Sequence, residues 1–268
     1  MIEHVSGVVG RVMSKLREQQ WKNRGAIYVP KGRAREYAEF AVSLYRGCEH
    51  GCTYCFAPSQ LRMSRGQFSR VERRDGILRK LERDARFMSD LGWDDVRVLM
   101  SFTTDPYPAM EEDLRTTRGG IKILHDNGIG VTILSKAGML CQRDFDLLGE
   151  KDEFATTLTY LSDDFKHWEP NAADTMERIA NLKKAKELGI RTWVSIEPVF
   201  DAKQSFAVIQ VSLDYVDEYR IGTLNHHPKA KEINWAEFAG ICTSFLERYG
   251  KKYVLKRDLI ESANLPSK

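Results

Sequence analysis

The sequence predicts an α/β domain built on a parallel sheet, and three observations carry that expectation. Short β-branched or apolar runs alternate with amphipathic stretches along most of the 268 residues. The connections between them are short, and glycines stand where helices should stop. No Gly/Ser-rich or Pro-rich linker, internal repeat or low-complexity segment breaks the alternation, so the chain reads as one domain, residues 41–268, preceded by an N-terminal extension, residues 1–40.

In chain order, strands are expected at 41–46, 96–102, 130–135, 154–160, 191–198 and 216–222. Ahead of the second strand, Ile77, Leu78, Leu81, Ala85 and Met88 keep helical spacing. The helix before the third strand ends at Gly128. The helix before the fifth opens with Asp174 three residues ahead of Glu177, as in a capping box, and stops at Gly189. A last helix puts Trp235, Phe238, Ala239, Cys242, Phe245 and Leu246 on one stripe, with Gly250 beyond it. Repeated strand–helix order implies right-handed crossovers. Six such units can wind an open Rossmann-like sheet or curl into part of a barrel, and periodicity does not choose between them. In both, ligands belong at the C-terminal ends of the strands.

A hydrophobic content of 42% supports a substantial core. No run of eighteen apolar residues exists, and Glu3, His4, Arg11, Lys15 and Arg17 punctuate the first twenty positions, so neither a membrane span nor a signal peptide is expected and the location expected is cytoplasmic. The cysteines number five, and three of them crowd into eight residues, which suits a reducing compartment and metal ligation better than a disulfide framework. Residues 1–86 hold 18 Lys and Arg against 9 Asp and Glu, whereas residues 87–268 hold 23 against 29. A basic N-terminal third suits nucleic acid or a phosphorylated partner, and its plainer explanation is a solvated basic face.

The crowded cysteines follow the first strand: Cys48-Glu49-His50-Gly51-Cys52-Thr53-Tyr54-Cys55. Soft thiolates select zinc, copper(I) or iron–sulfur clusters, and structural zinc normally takes four ligands. His50 is the available fourth donor, but it sits between the first two cysteines in a loop too short to bring all four together easily. Three cysteines on a [4Fe-4S] cube leave one iron open, as a reactive centre requires. The spacing favours the cluster and leaves zinc and free thiols as alternatives.

This C-x3-C-x-aromatic-C pattern, with Tyr54 at the aromatic position, resembles the signature of the radical SAM superfamily. Tyr45-Arg46-Gly47-Cys48, His50-Gly51-Cys52, Tyr54-Cys55-Phe56-Ala57 and Thr104-Asp105-Pro106-Tyr107 are similar to the spore photoproduct lyase-like branch, over roughly residues 31–253. The resemblance implies an α/β fold of a (β/α)6 partial TIM barrel. It implies a [4Fe-4S] cluster on Cys48, Cys52 and Cys55, with S-adenosylmethionine lying across the strand ends. It implies reductive cleavage of that cofactor to methionine and a 5′-deoxyadenosyl radical, in a lyase or another radical-dependent enzyme, and a reductant such as flavodoxin or ferredoxin as partner.

Cofactor contacts are expected at Tyr54 and Phe56 beside the cysteines. Most radical SAM enzymes carry Gly-Gly-Glu after the second strand; here the resemblance implies that Thr104 and Asp105 replace it, with Asp105 accepting from the methionine ammonium. An ordinary Asx-Pro turn is the alternative. Lys136 matches a lysine that faces the methionine carboxylate in the photoproduct-lyase branch. Alternation puts Ser195 and Glu197 on one face, where an unpaired buried carboxylate would be costly, so Glu197 calls for a ribose hydroxyl or a basic partner. Asn225 is the expected contact after the sixth strand, beside His226 and His227; Thr157 and Thr159 are weaker candidates. Cys141 and Cys242 are not expected as ligands. Thr103 stands where photoproduct lyases carry a hydrogen-donating cysteine, and its O–H bond is too strong for that role. The expected function is therefore a radical SAM enzyme of open substrate. DNA photoproduct repair, with nucleic acid as partner, and a non-catalytic zinc or Fe-S binding module are the alternatives.

Overall fold

A computed structural model of the chain describes residues 12–21, 25–225 and 227–266. The candidate His226 and the charged positions Glu3, His4 and Arg11 lie outside the described residues. The principal sheet takes strands β1 (Ile27–Tyr28), β2 (Phe40–Val42), β5 (Arg97–Met100), β6 (Gly130–Leu134), β7 (Glu153–Thr157), β8 (Arg191–Ile196), β9 (Glu218–Ile221) and β10 (Lys252–Leu255), in that spatial order. Every neighbouring pair from β2 to β10 is parallel, while β1 joins β2 antiparallel. A separate two-stranded sheet pairs β3 (Tyr45–Arg46) with β4 (Glu72–Arg73), also antiparallel.

The six expected strands all form, several of them shorter than expected. The first divides: β2 ends at Val42, and Tyr45–Arg46 leaves the parallel sheet to pair with Glu72–Arg73. Between them the backbone carbonyl of Leu44 accepts from Arg74 N, 3.1 Å, so the chain turns toward the β4 segment before reaching the cysteines. β7 ends at Thr157, which leaves residues 158–160 as loop. Two edge strands, β1 and β10, are additions; two to four residues with mixed exposure give little period-2 signal.

Helix expectations fare similarly. Ile77–Asp90 is helical and buries Ile77, Leu81, Ala85 and Met88. Thr175–Glu187 begins where Asp174 accepts from Glu177 N, 2.7 Å, although Glu177 turns its own carboxylate to Met139 N rather than completing the capping box. The helix Trp235–Arg248 buries Phe238, Ala239, Cys242 and Leu246. Gly128, Gly189 and Gly250 each end their helix with positive φ.

Curvature is decided by which strand residues meet. Phe40, Val42, Val98, Met100, Val131, Ile133, Phe154, Val194 and Ile196 face outward into the main core with the helices. Their alternates Ala41, Leu99, Ala155 and Trp193 form a separate inner cluster. β2 and β8 are separated by three strands in the sheet, yet Ala41 and Trp193 share that cluster, so the sheet curls on itself as a partial barrel. Two alanines among the inward positions leave room for the Trp193 indole.

Below Trp193, Glu153 pairs with Arg97 at 3.0 Å and Arg191 at 3.2 Å and accepts from the Trp193 Nε1, making an ionic floor. Arg220 stacks over Trp193, 3.9 Å from the ring centroid. Above Trp193 come Ser195 and Glu197 at the C-terminal end of β8. Among the described residues no strand pairs β1 with β10, and the seam between them is crossed by side chains. Lys256, directly after β10, pairs with Glu197 and donates to the Tyr37 hydroxyl, and Arg33 pairs with Asp258.

Residues ahead of position 40 pack into this body. Trp21, Ala26 and Ile27 belong to the main core. Asp84, fully buried, accepts from Ala26 N at 2.7 Å and Ile27 N at 3.0 Å. Asp84→Ala would strand both backbone donors and should cost roughly 2–4 kcal/mol, read as a lowered urea midpoint without a change in the slope of the transition.

Candidate functional site

The first strand delivers the chain to the cysteines through a turn that needs glycine. Gly47 has φ +83°, and a Cβ there would lie 2.4 Å from the Arg70 carbonyl oxygen. Cys48 N then donates to Phe68 O, 2.8 Å. Cys48, Cys52 and Cys55 line one cavity with Pro58, Arg65 and Phe68. A larger cleft of about 650 Å³ lies between Lys186, Asp217 and Lys251, at the N-terminal ends of the strands and away from the cysteines.

The segment after β7 clasps the cysteine loop from the other side. Thr53 N donates to Trp168 O at 2.8 Å, Asn171 N donates to His50 O at 3.1 Å, and the Asn171 amide donates to Glu49 O at 2.8 Å. Tyr54, expected beside the cluster, hydrogen-bonds Glu169. Lys136 Nζ donates to Cys52 Sγ at 2.8 Å and to the Tyr54 hydroxyl at 2.9 Å, with Glu169 Oε1 at 3.4 Å. Glu169, without exposed surface, pairs through its other oxygen with the buried Arg178. Lys136 thus reaches the cysteine loop from the end of β6 as a partly buried, paired cation.

Charges at the site follow from this burial. The Cys48 thiol is pushed up to about 12 by burial, with Asp105 adding to the effect, and burial also raises Cys55. Both are protonated at neutral pH unless a cation compensates, which is the environment that iron would correct. Burial alone would raise Glu169, but Arg178 and Lys136 outweigh it and hold the carboxyl at about 2. Lys136 is held charged, Glu169 overcoming its desolvation.

His50, the possible zinc donor, turns away from the cysteine cavity: its Nδ1 faces Asp105 Oδ2 at 3.7 Å, and burial lowers its basicity. Among the described residues, no group of three or more Cys, His, Asp or Glu side chains is placed to hold a single metal ion. Three cysteines around one cavity, with no fourth Cys, His, Asp or Glu lining it among the described residues, fit a four-iron cube that keeps one iron open.

Asp105 behaves as the Asx-Pro turn anticipates and does more. Its Oδ1 accepts from Tyr107 N and the Ser135 hydroxyl, and its Oδ2 accepts from Lys136 N. It therefore joins the loop after β5 to the one that carries Lys136. Thr104 donates to the Gly47 carbonyl, next to Cys48. Ser195 and Glu197 form a second group, gathered by the Tyr37 hydroxyl at 2.8 and 2.9 Å. The basic partner that Glu197 called for is Lys256.

Two expected contacts stand apart from both groups. Phe56 is more than half exposed, and Asn225 is exposed and donates to Asp258 at 2.9 Å. His227 packs edge-on against Trp168 and Phe200. Thr159 is buried; Cys141 is buried in the 3-10 helix Met139–Leu147, and Cys242 is buried in the core. Sequence reasoning missed Glu169, Arg178, Tyr37 and Lys256. Each lies far from the motif along the chain and belongs to no short pattern of its own.

The radical SAM superfamily model matches residues 42–205, the stretch that holds every group of the cysteine site described above. The chain belongs to the radical SAM superfamily. Its members are enzymes whose cofactors are a [4Fe-4S] cluster and S-adenosylmethionine. Uncharacterised proteins are similar in sequence. One from Acidianus two-tailed virus is 27% identical over 65% of this chain and 62% of its own length. One from Methanocaldococcus jannaschii is 25% identical over 60% of this chain and 61% of its own. The chain thus spans about three fifths of these two relatives. Among solved structures, a spore photoproduct lyase mutant superimposes with TM-score 0.66 and 12% identity, covering 85% of this chain and 79% of that one. Streptococcus suis SuiB bound to S-adenosylmethionine gives TM-score 0.61 and 13% identity, covering 85% and 53%. These likenesses establish the fold.

Glu169→Gln leaves Arg178 and Lys136 without their shared counter-charge and should cost about 3 kcal/mol at neutral pH. Because the folded carboxyl sits at about 2 against an ordinary 4.5, its contribution is complete above pH 4.5 and fades as pH falls toward 2. The stability gap between wild type and variant should therefore be widest at neutral pH and close through that acid window, followed by denaturant melts at a series of pH values. Gly47→Ala should prevent full loading of iron, measured as iron per chain after anaerobic reconstitution, while far-UV circular dichroism stays native.

Proposed function

We propose that this chain binds a [4Fe-4S] cluster through Cys48, Cys52 and Cys55 and uses it to cleave S-adenosylmethionine reductively. The observation that carries the reading is the convergence of three thiols on one cavity, with the Lys136 ammonium held against Cys52. Bound together, cluster and S-adenosylmethionine supply one-electron rupture of the C5′–S bond, giving methionine and a 5′-deoxyadenosyl radical.

The chain's own residues orient and shield that chemistry. Lys136, fixed by Glu169, offers a positive charge for the methionine carboxylate. Asp105 holds the Lys136 backbone in register with the loop after β5, and an ammonium contact at its carboxylate would add to the bonds it already accepts. Thr104 braces the turn at Gly47. Ser195 and Glu197, tied to Tyr37, give hydroxyl and carboxylate groups at the strand ends suited to a ribose, with Tyr54 and Phe56 flanking the cysteines and Asn225 at the outer rim. Trp193 and Arg220 fill the barrel below and keep water from that end.

In this reading residues 41–268 carry the chemistry, and the described part of the extension, residues 12–21 and 25–40, braces the barrel, with Tyr37 reaching into the strand-end layer. The free cysteines suit a reducing cytoplasm. No helix among the described residues is long and apolar enough to cross a membrane. Thr103 donates or accepts a hydrogen bond with Ser43 at 3.0 Å and supplies no thiol hydrogen, so the reading stops at radical generation and does not extend to photoproduct repair.

Anaerobically reconstituted protein, reduced with dithionite in the presence of S-adenosylmethionine, should form 5′-deoxyadenosine. Cys48→Ala, Cys52→Ala and Cys55→Ala should each abolish both the cluster and the product, whereas Cys141→Ala and Cys242→Ala should retain them. A reducible cluster that neither binds nor cleaves S-adenosylmethionine would support the binding-module alternative.

A further inference from the structure

The segment between the cysteine loop and β4 carries charge that the chemistry above does not use. Residues 57–74 contain Arg62, Arg65, Arg70, Arg73 and Arg74 against a single acid, Glu72. All five arginines are exposed, and Arg46, exposed on the partner strand of β4, adds a sixth. Arg62, Arg70 and Arg73 pair with no carboxylate among the described residues. Apolar surface lies among them: Phe56 is 55% and Leu61 38% exposed.

This flap is fastened to the cysteine loop. Arg65 donates to the carbonyls of Cys52 and Thr53, and Phe68 O accepts from Cys48 N. Arg65 and Phe68 form part of the wall of the cysteine cavity, so the outer surface of that wall is the arginine face itself. Thr104, Lys136, Ser195 and Glu197 do not line this cavity; they belong to the strand-end side. A body seated on the flap would therefore approach the cysteines while leaving the barrel mouth open.

We propose that this arginine face is the docking surface for an acidic one-electron carrier protein of the flavodoxin or ferredoxin type. The inference rests on the reading that the chain cleaves S-adenosylmethionine reductively, which consumes one electron per event. The carrier is oxidised by one electron and the cluster is reduced by one, with no bond made or broken at the surface. Opposite charge steers the encounter, and the exposed Phe56 and Leu61 supply the small apolar contact at its centre. Nucleic acid would also answer to arginines, but a substrate has to meet the strand ends, and none of Thr104, Lys136, Ser195 and Glu197 lines the cavity that Arg65 and Phe68 wall.

The test follows cluster reduction directly, without S-adenosylmethionine. Reduced acidic flavodoxin is mixed anaerobically with reconstituted protein and loss of cluster absorbance is timed by stopped flow, with dithionite giving the end point. Arg62→Glu/Arg70→Glu/Arg73→Glu should lower the second-order rate by about tenfold or more. The wild-type rate should fall steeply between about 50 and 300 mM salt. The corresponding triple Gln variant should lie between the two, and all three proteins should reach the same dithionite end point. Equal rates in wild type and the Glu variant, or a wild-type rate indifferent to salt, overturn the proposal. So does a Glu variant that keeps its flavodoxin rate but loses salt-sensitive binding to duplex DNA, which assigns the face to nucleic acid. A wild-type protein that takes up no reducible cluster overturns the enzymatic reading and this proposal with it, whereas failure of the arginine variants alone leaves that reading intact.

Discussion

Glu169 is a carboxylate with no exposed surface, and three parts of the chain are joined at it. Tyr54 comes from the cysteine loop, Lys136 from the end of β6, and Arg178 from the helix that packs behind the sheet. A buried carboxylate costs several kcal/mol unless it is paired and hydrogen-bonded, so each of these partners is held in place by the penalty of losing the others. That constraint ties the cysteine loop, which has little core of its own, to β6 and to the helix Thr175–Glu187. Backbone bonds from Thr53 and Asn171 to the same clasping segment reinforce it.

The same constraint places a cation beside sulfur. Cys48 and Cys55 are made poor acids by burial, yet ligation requires thiolates. Lys136 supplies part of the compensating charge, and it remains protonated because Glu169 stays ionised. The arrangement is a pre-formed electrostatic environment rather than a pre-formed metal cage, which suits a cofactor assembled from iron and sulfide after folding.

Much of this was legible in the sequence, and the reasons for the rest are physical. The six central strands and the helices at 77–90, 175–187 and 235–248 show because each buries a regular face, and regular burial leaves a period. The partial barrel showed only through resemblance; periodicity could not separate it from an open sheet, and the structure decides through the inner cluster that Ala41 and Trp193 share. The cysteines showed because local spacing encodes a local loop. Glu169, Arg178, Tyr37 and Lys256 did not, because their partners are brought together by the curl of the sheet. Glu197 was a partial success: the cost of burying it called for a base or a sugar, but only the fold names Lys256. Phe56 and Asn225 were chosen by neighbourhood in sequence, and the fold leaves both exposed.

Closure of the barrel between β1 and β10 rests on Lys256, Glu197, Tyr37, Arg33 and Asp258 rather than on a ladder of backbone bonds. Side-chain contacts can be exchanged one at a time, whereas a strand ladder resists as a unit. The seam is accordingly the compliant line of the barrel wall. Its polar groups can be re-partnered one by one, so the wall can give along this line while the parallel ladder from β2 to β10 stays intact.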